Sequence, residues 1–388
     1  MPDAGCPIVR RFLMLARDGA ASPALIGPDG EVLATRADLA AQIEAVRTSY
    51  AEVVAPGSTV LLSLPNGPEF VRSFAALRLL GARVALVDAA APADEIERSA
   101  AAAGADWVVV TPERLACNEV VAAHRGTAVA ARPGAEPIAL PENTAILKLT
   151  SGSTGLPRVV AVGARQLAAD SVQIMRTMAF GAGDVTLAAI PLTHSYGIAS
   201  CLIPLFLAGT PLAFPTCALP AALAHTLAAA RVSHFPAVPA MIRTLATLED
   251  LPDLPHLRVC LAAGAPLAPS DAAAFFSATG HKVHVFYGCS ECGGITYDRS
   301  SEPVHPEGTV APPWSACASR SSARMAASCR PAPRGGSWSS PARWRSRSCR
   351  GLTTAGYWDP ADSSPGTWVC WTSEVASPSP VGSATPST

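Results

Sequence analysis

Val60-Leu-Leu-Ser-Leu64, Arg83-Val-Ala-Leu-Val87 and Trp107-Val-Val-Val110 are three short, nearly continuous apolar runs, and helical stretches at 69–80 and 94–103 separate them. An alternating strand keeps one face in water, whereas a continuous apolar run is buried on both faces. Strands separated by helices of ten or more residues imply a parallel sheet covered on both sides. The fold class is therefore α/β, with doubly wound, mostly parallel sheets. The same alternation extends from residue 30 to about 310, with further units at 186–190, 202–207, 220–230, 257–262, 270–279 and 282–286.

At 388 residues the chain is long enough for a large buried core and too long for a small disulfide scaffold. Its 29 basic and 30 acidic residues give a net charge of −1, so no global field recruits nucleic acid or anionic lipid. Any nucleotide must be held by a local site. Eleven cysteines, an odd number without a repeating spacing, fit a reduced, cytoplasmic protein. Phe12-Leu-Met-Leu-Ala16 is too short for the apolar region of a signal peptide and reads as part of the first helix. Residues 185–230 lack Asp, Glu, Lys and Arg, but Pro191, Pro204, Pro211, Pro215 and Pro220 cut the segment into pieces too short to span a bilayer.

The sharpest local signal is Thr150-Ser-Gly-Ser-Thr-Gly-Leu-Pro-Arg158, set between the apolar strands Ala145-Ile-Leu-Lys-Leu149 and Val159-Val-Ala-Val162. Four hydroxyls and two glycines in six residues make a turn whose backbone N–H groups can converge on an anion, and Arg158 adds fixed charge. The Walker pattern is absent, and both flanking elements are strands. By itself such a loop also fits a hairpin turn that meets only water.

Tyr287-Gly-Cys-Ser-Glu291 follows the apolar strand His284-Val-Phe286. Ligands of open α/β sheets bind at carboxyl ends of strands, where Glu291 can ligate magnesium and Tyr287 can cover a base. A capping Glu and a core Tyr are the alternatives. Pro191-Leu-Thr-His-Ser-Tyr-Gly197 places His194 after another apolar strand, and Ala262-Ala-Gly-Ala-Pro-Leu267 is a small-residue turn against which a flat ring can lie.

These four motifs, in this order, resemble the adenylate-forming (AMP-binding) enzymes, a superfamily of acyl-CoA synthetases, aryl acid ligases and peptide-synthetase adenylation domains. Leu64-Pro-Asn-Gly-Pro-Glu-Phe70 and Leu80-Gly-Ala-Arg-Val84 also look like that family's N-terminal region, so the similarity covers roughly 25–310. The resemblance implies the family's large N-terminal domain over 1–310. It also implies that a carboxylate attacks the α-phosphate of ATP, releasing pyrophosphate, before acyl transfer to a thiol of CoA or of phosphopantetheine on an acyl carrier protein. Thr150, Ser151, Gly152, Ser153, Thr154 and Gly155 would then cradle phosphates. Gly264, Ala265 and Tyr287 would line the adenine site, Ser290 would donate to phosphate, Glu291 would bind Mg2+, and His194 would sit at the pocket for a small carboxylic acid. The family's usual lysine at the ninth loop position is here Arg158.

At residue 311 the composition breaks. Residues 311–388 contain 17 Ser, 8 Arg and 6 of the 7 Trp, but only four residues from Leu, Ile, Val and Phe, too few for a packed core. Trp has a single codon, so the frame one base earlier can be partly reconstructed. Across Trp368-Val-Cys-Trp-Thr372 and the junctions just before it, that frame permits Gly-Asp-Leu-Gly-Leu-Leu-Asp, which looks like the family's ribose-binding segment. The sequence therefore predicts a frameshift near 309–311, leaving the C-terminal domain scrambled in 311–388. Only Lys148 and Lys282 exist in the chain, neither placed as the family's C-terminal adenylation lysine, so impaired adenylation is expected.

Two other functions compete. Gly288-Cys-Ser-Glu-Cys292 approaches the nucleophile elbow of an α/β serine hydrolase, with His194 as base, although Cys292 replaces the last Gly. A non-catalytic nucleotide-binding remnant fits the missing lysine. Cys289-x-x-Cys292 lacks a second Cys or His pair at zinc-ligand spacing, so those cysteines are expected to pack beside the Tyr287 turn.

Overall fold

The computed structural model describes residues 6–115, 120–124, 126–150, 157–181 and 183–304. Ser151, Gly152, Ser153, Thr154, Gly155 and the 311–388 segment lie outside these residues.

Two sheets form the body. The first has the order β6-β7-β5-β3-β4-β8-β9, built from β3 (Thr59–Ser63), β4 (Arg83–Leu86), β5 (Trp107–Val110), β6 (Val120–His124), β7 (Thr127–Ala131), β8 (Thr144–Thr150) and β9 (Arg158–Gly163). The second has the order β15-β14-β13-β12-β10-β11-β1-β2, from β1 (Pro23–Ile26), β2 (Val32–Thr35), β10 (Thr186–Leu187), β11 (Leu212–Ala213), β12 (His234–Ala237), β13 (Val259–Ala262), β14 (Val283–Cys289) and β15 (Gly293–Tyr297).

The three apolar runs read from the sequence are β3, β4 and β5, parallel as expected, with Val60 opposite both Val84 and Trp107. Every residue of β3 is buried, which is why its sequence carries no alternation. The intervening helices are α3 (Pro68–Leu79) and α4 (Ala93–Ala102). Both sheets also hold antiparallel members: β6 with β7, β7 with β5, and β8 with β9 in the first sheet, and β1 with β2 and β14 with β15 in the second.

The main core lies between the sheets. Phe12 of α1 (Pro7–Asp18), Phe70 and Phe74 of α3, and Phe206 of α7 (Ile203–Ala208) are fully buried there. Phe12 meets Phe206 edge-on at 5.8 Å, and Phe74 stacks on Phe206 at 6.2 Å. Burying each such ring contributes about 1.5–3 kcal/mol, so this aromatic file is a principal bond between the halves.

One polar side chain reinforces it. Asn66, in the loop before α3, donates from Nδ2 to Ala188 O at 3.0 Å and Ile190 O at 2.7 Å, and its Oδ1 accepts from Leu192 N at 2.9 Å. The amide thereby fixes the segment leaving β10, on which His194 lies. Between that segment and α7 the chain forms α6 (Ser195–Gly197) and a π-helical turn, Ile198–Leu202. No helix among the described residues is long and apolar enough to cross a membrane.

Candidate functional site

β8 runs into the core with Ala145, Ile146 and Leu147 buried, then places a lysine where the apolar pattern calls for another aliphatic residue. Lys148 is only 6 % exposed. Its Nζ donates to the carbonyl oxygen of Ser290 at 3.1 Å. Burial pushes the Lys148 pKa below the ordinary lysine value, opposed by the nearby Asp170, Cys289, Glu291 and Cys292. The bond joins the strand that ends at Thr150 to the turn between β14 and β15.

Thr150 and Arg158 are opposite one another at the mouth of the β8–β9 hairpin. The hairpin is the strand–loop–strand arrangement expected from the sequence, and Arg158 is exposed at its edge. Ser290 and Glu291 occupy the β14–β15 turn, with the Glu291 side chain exposed. Tyr287 lies within β14 rather than beyond its end, because β14 continues to Cys289 by pairing with β15, and Tyr287 is 38 % exposed.

The β10-derived segment reaches the same turn. Ser195 Oγ donates to Ser290 Oγ at 3.2 Å, and the half-buried Tyr196 ring lies 5.6 Å from Phe286. His194 is exposed, with Nε2 3.7 Å from Asp88 Oδ2 in the loop after β4. Gly264 and Ala265 follow β13, which is parallel to β14 with Ala262 opposite Val285, so their exposed turn emerges beside the stretch carrying Tyr287. Gly264 has φ +88°, a left-handed conformation that glycine adopts without strain.

Asp170 supports the turn from below. It lies on α5 (Ala164–Thr177), the helix after β9, and its Oδ1 accepts from Gly294 N at 2.9 Å. Burial raises its pKa, opposed by that N–H and by Lys148. Gly293, at φ +71°, lets the backbone fold over this carboxylate, since a Cβ there would lie 2.5 Å from it. The half-buried Cys289 and Cys292 flank Ser290 and Glu291. A hydrogen bond from Cys292 lowers the Cys289 pKa to about 7 against the opposing effect of burial.

The structure thus brings Thr150, His194, Ser290 and Glu291, with Gly264, Ala265 and Tyr287 beside them, to one region. Sequence reading missed two supports, the buried Lys148 and the half-buried Asp170. A signal for Lys148 was present, because a lysine interrupting a buried apolar strand must have a partner. Asp170 gave none, since it reads as a polar position of an amphipathic helix. The surroundings of Ser290 differ from a nucleophile elbow: β14 turns back into a strand, not into a helix, and the Ser290 hydroxyl meets Ser195. No group of three metal-ligating His, Cys, Asp or Glu side chains occurs among the described residues.

The sequence profile of the family described as "AMP-binding enzyme" matches residues 16–320. A sulfoacetate–CoA ligase of Cupriavidus necator is 26% identical over 300 residues, covering 72% of this chain and 59% of that protein. A 4-coumarate–CoA ligase of Oryza sativa subsp. japonica is 32% identical over 207 residues, covering 48% of this chain and 37% of the rice protein. The chain thus spans between about a third and three fifths of these relatives' lengths. In fold it is similar to apo MatB from Rhodopseudomonas palustris, with TM-score 0.67 at 19% identity, covering 80% of this chain and 64% of that one. The N-terminal domain of FACL13 from Mycobacterium tuberculosis gives TM-score 0.63 at 20% identity, with 75% and 78% covered.

Proposed function

From the premise that the chain belongs to the AMP-binding enzyme family, we propose that it binds ATP at the β8–β9 and β14–β15 hairpins and activates a small carboxylic acid as its acyl-adenylate. The observation that carries this reading is the 3.1 Å bond from Lys148 to Ser290, which sets the end of β8, two residues before Thr150, against the turn bearing Glu291.

Attack of a carboxylate on a phosphate brings two anions together, so catalysis depends on alignment and charge neutralisation. The 150–155 loop supplies N–H and hydroxyl donors to the β- and γ-phosphates, with Arg158 adding positive charge. Ser290 donates to phosphate, while Gly264, Ala265 and Tyr287 flank the base. His194 orients the incoming carboxylate beside Asp88. Glu291 offers a hard, exposed carboxylate oxygen and Ser290 a neighbouring hydroxyl, a donor set that suits Mg2+ shared with nucleotide phosphates. Bound there, Mg2+ would offset negative charge on the phosphates.

The acyl group then passes to a thiol, and the relatives' names as CoA ligases favour CoA over a carrier protein as acceptor. Residues 311–388 are proposed to be read out of frame, and neither lysine of this 388-residue polypeptide lies beyond Lys282. The polypeptide alone is therefore expected to bind ATP yet adenylate slowly.

Titration calorimetry with ATP in magnesium buffer tests the reading. Saturable binding that falls about tenfold in Glu291→Gln, roughly 1.4 kcal/mol, is the expected result. Absence of binding to the folded wild-type chain overturns it. Rapid ATP–pyrophosphate exchange by the same polypeptide refutes the slow-adenylation clause, and an uninterrupted original frame in the coding DNA refutes the frameshift.

A further inference from the structure

Cys289 ends β14 and pairs with Gly293, and Cys292 lies in the turn between them with Ser290 and Glu291. Residues paired across an antiparallel ladder have Cα atoms about 4.5–5.5 Å apart, Cys292 is the neighbour of Cys289's partner Gly293, and disulfides span Cα separations of about 4.4–6.8 Å. The two thiols thus sit on neighbouring positions across the reversal. Both are half-buried, which leaves a small oxidant a path to them, whereas Cys6, Cys201 and Cys260 are buried singly in the core. The nucleotide reading assigns no role to either thiol.

We propose that Cys289 and Cys292 form a reversible disulfide under oxidation by a peroxide, and that this bond switches off nucleotide binding by locking the Ser290–Glu291 turn. In the forward direction one thiolate attacks a peroxide oxygen. The O–O bond breaks, and the leaving oxygen departs as water after protonation, leaving a sulfenic acid. The second sulfur displaces the sulfenic oxygen as another water, and the S–S bond forms. Two electrons pass from the sulfur pair to one peroxide. A dithiol returns two electrons and two protons and reopens the bond.

The closed turn matters because Ser290 is held from both sides, its carbonyl by Lys148 and its hydroxyl by Ser195. Drawing the flanking sulfur atoms to bonding distance shifts the backbone between them against these two anchors. The disulfide does not depend on the nucleotide reading, whereas its effect on ATP does.

The sequence simplifies the test. No Lys or Arg lies between Val283 and Arg299, so trypsin releases one peptide, 283–299, containing these two cysteines and no other. The reduced full chain is treated with stoichiometric hydrogen peroxide, alkylated and digested. The expected peptide takes up no alkyl group and is lighter by two hydrogen atoms than the reduced form, and dithiothreitol reverses the change. Two alkylated thiols at an oxidant dose that oxidises the exposed Cys217, or stable oxygen addition to one sulfur, overturn the disulfide.

The melting shift given by ATP with magnesium is then compared between reduced and oxidised chains. Its loss on oxidation in the wild type, but not in Cys292→Ser, is expected. An unchanged shift in chains carrying the bond overturns the switch. If the reduced chain shows no shift, the nucleotide reading and the switch built on it fail, and the peptide mass alone decides the disulfide.

Discussion

Lys148 and Ser290 are 142 residues apart in sequence and 3.1 Å apart in space, joined by an ammonium-to-carbonyl hydrogen bond in a largely buried setting. The bond ties the strand that ends at Thr150 to the turn that carries Glu291, and its donor is one of only two lysines in the chain.

Replacing Lys148 by Met keeps the apolar stem and removes the donor. The Ser290 carbonyl loses its partner, and Asp170 loses the nearby positive charge that opposes its protonation. Leaving buried polar groups unpaired costs about 1–3 kcal/mol. Lys148→Met is expected to lower the urea midpoint accordingly and to weaken ATP binding. Unchanged stability and affinity would show that the bond positions nothing.

Asn66→Ala removes three hydrogen bonds between the sheets at once. The carbonyls of Ala188 and Ile190 and the amide of Leu192 are left to find water. A loss of about 2–4 kcal/mol is expected in equilibrium unfolding, at the upper end for uncharged polar deletions. Hydrogen exchange should rise at Leu192, and an unprotected Leu192 amide in the wild type would contradict the assignment.

Gly293→Ala tests the fold of the turn over Asp170. At φ +71° the new Cβ carries a left-handed strain of about 1–2 kcal/mol, before any clash with the Asp170 carboxylate. A loss of about 2 kcal/mol or more is expected, read as a lowered melting temperature. Substitution at Gly57, where a Cβ meets nothing within 4 Å but φ is +84°, isolates the conformational part.

Two histidines set an acid limit. His234 is fully buried, with Nε2 3.3 Å from Met178 O, and His284 Nδ1 lies 2.8 Å from Asp298 O. Burial is the main reason that both stay below the ordinary value of 6.5, against the raising effect of those carbonyls. Above pH 6.5 the rings are neutral in folded and unfolded chains alike. As the pH falls through 6.5 the unfolded chain takes up protons first, so stability declines, by up to about 1.4 kcal/mol per pH unit for each ring. Urea midpoints from pH 7.5 to 5 should show this slope, reduced in His234→Gln. A flat profile would mean that the rings protonate freely in the fold.

Much of the fold can be read in the chain because its chemistry is local. Val60 to Val110 announces parallel strands, since residues buried on both faces leave no alternation to misread. The 145–162 hairpin is visible because two apolar runs enclose a Ser/Gly turn. The division into two sheets is not visible, because β1 lies beside β11 through Leu25 opposite Leu212, residues 187 positions apart in sequence. Gly293-Gly-Ile-Thr-Tyr297 looks too glycine-rich for a strand, yet it pairs with β14 and carries that strand past Tyr287. The site's exposed motifs were recognisable by composition. Its supports, the buried Lys148 and the half-buried Asp170, depend on partners that only tertiary packing supplies.

The helix α5 joins the edge strand β9 of one sheet directly to Asp170, which grips the edge strand β15 of the other. During synthesis the β8–β9 hairpin therefore leaves the ribosome well before the β14–β15 hairpin exists, and the Asp170 carboxylate waits without its partner until residue 294 emerges. Assembly of the side that carries Ser290 and Glu291 thus waits for β15, and a polypeptide released before residue 294 would hold the whole first sheet while Asp170 lacked its Gly294 partner.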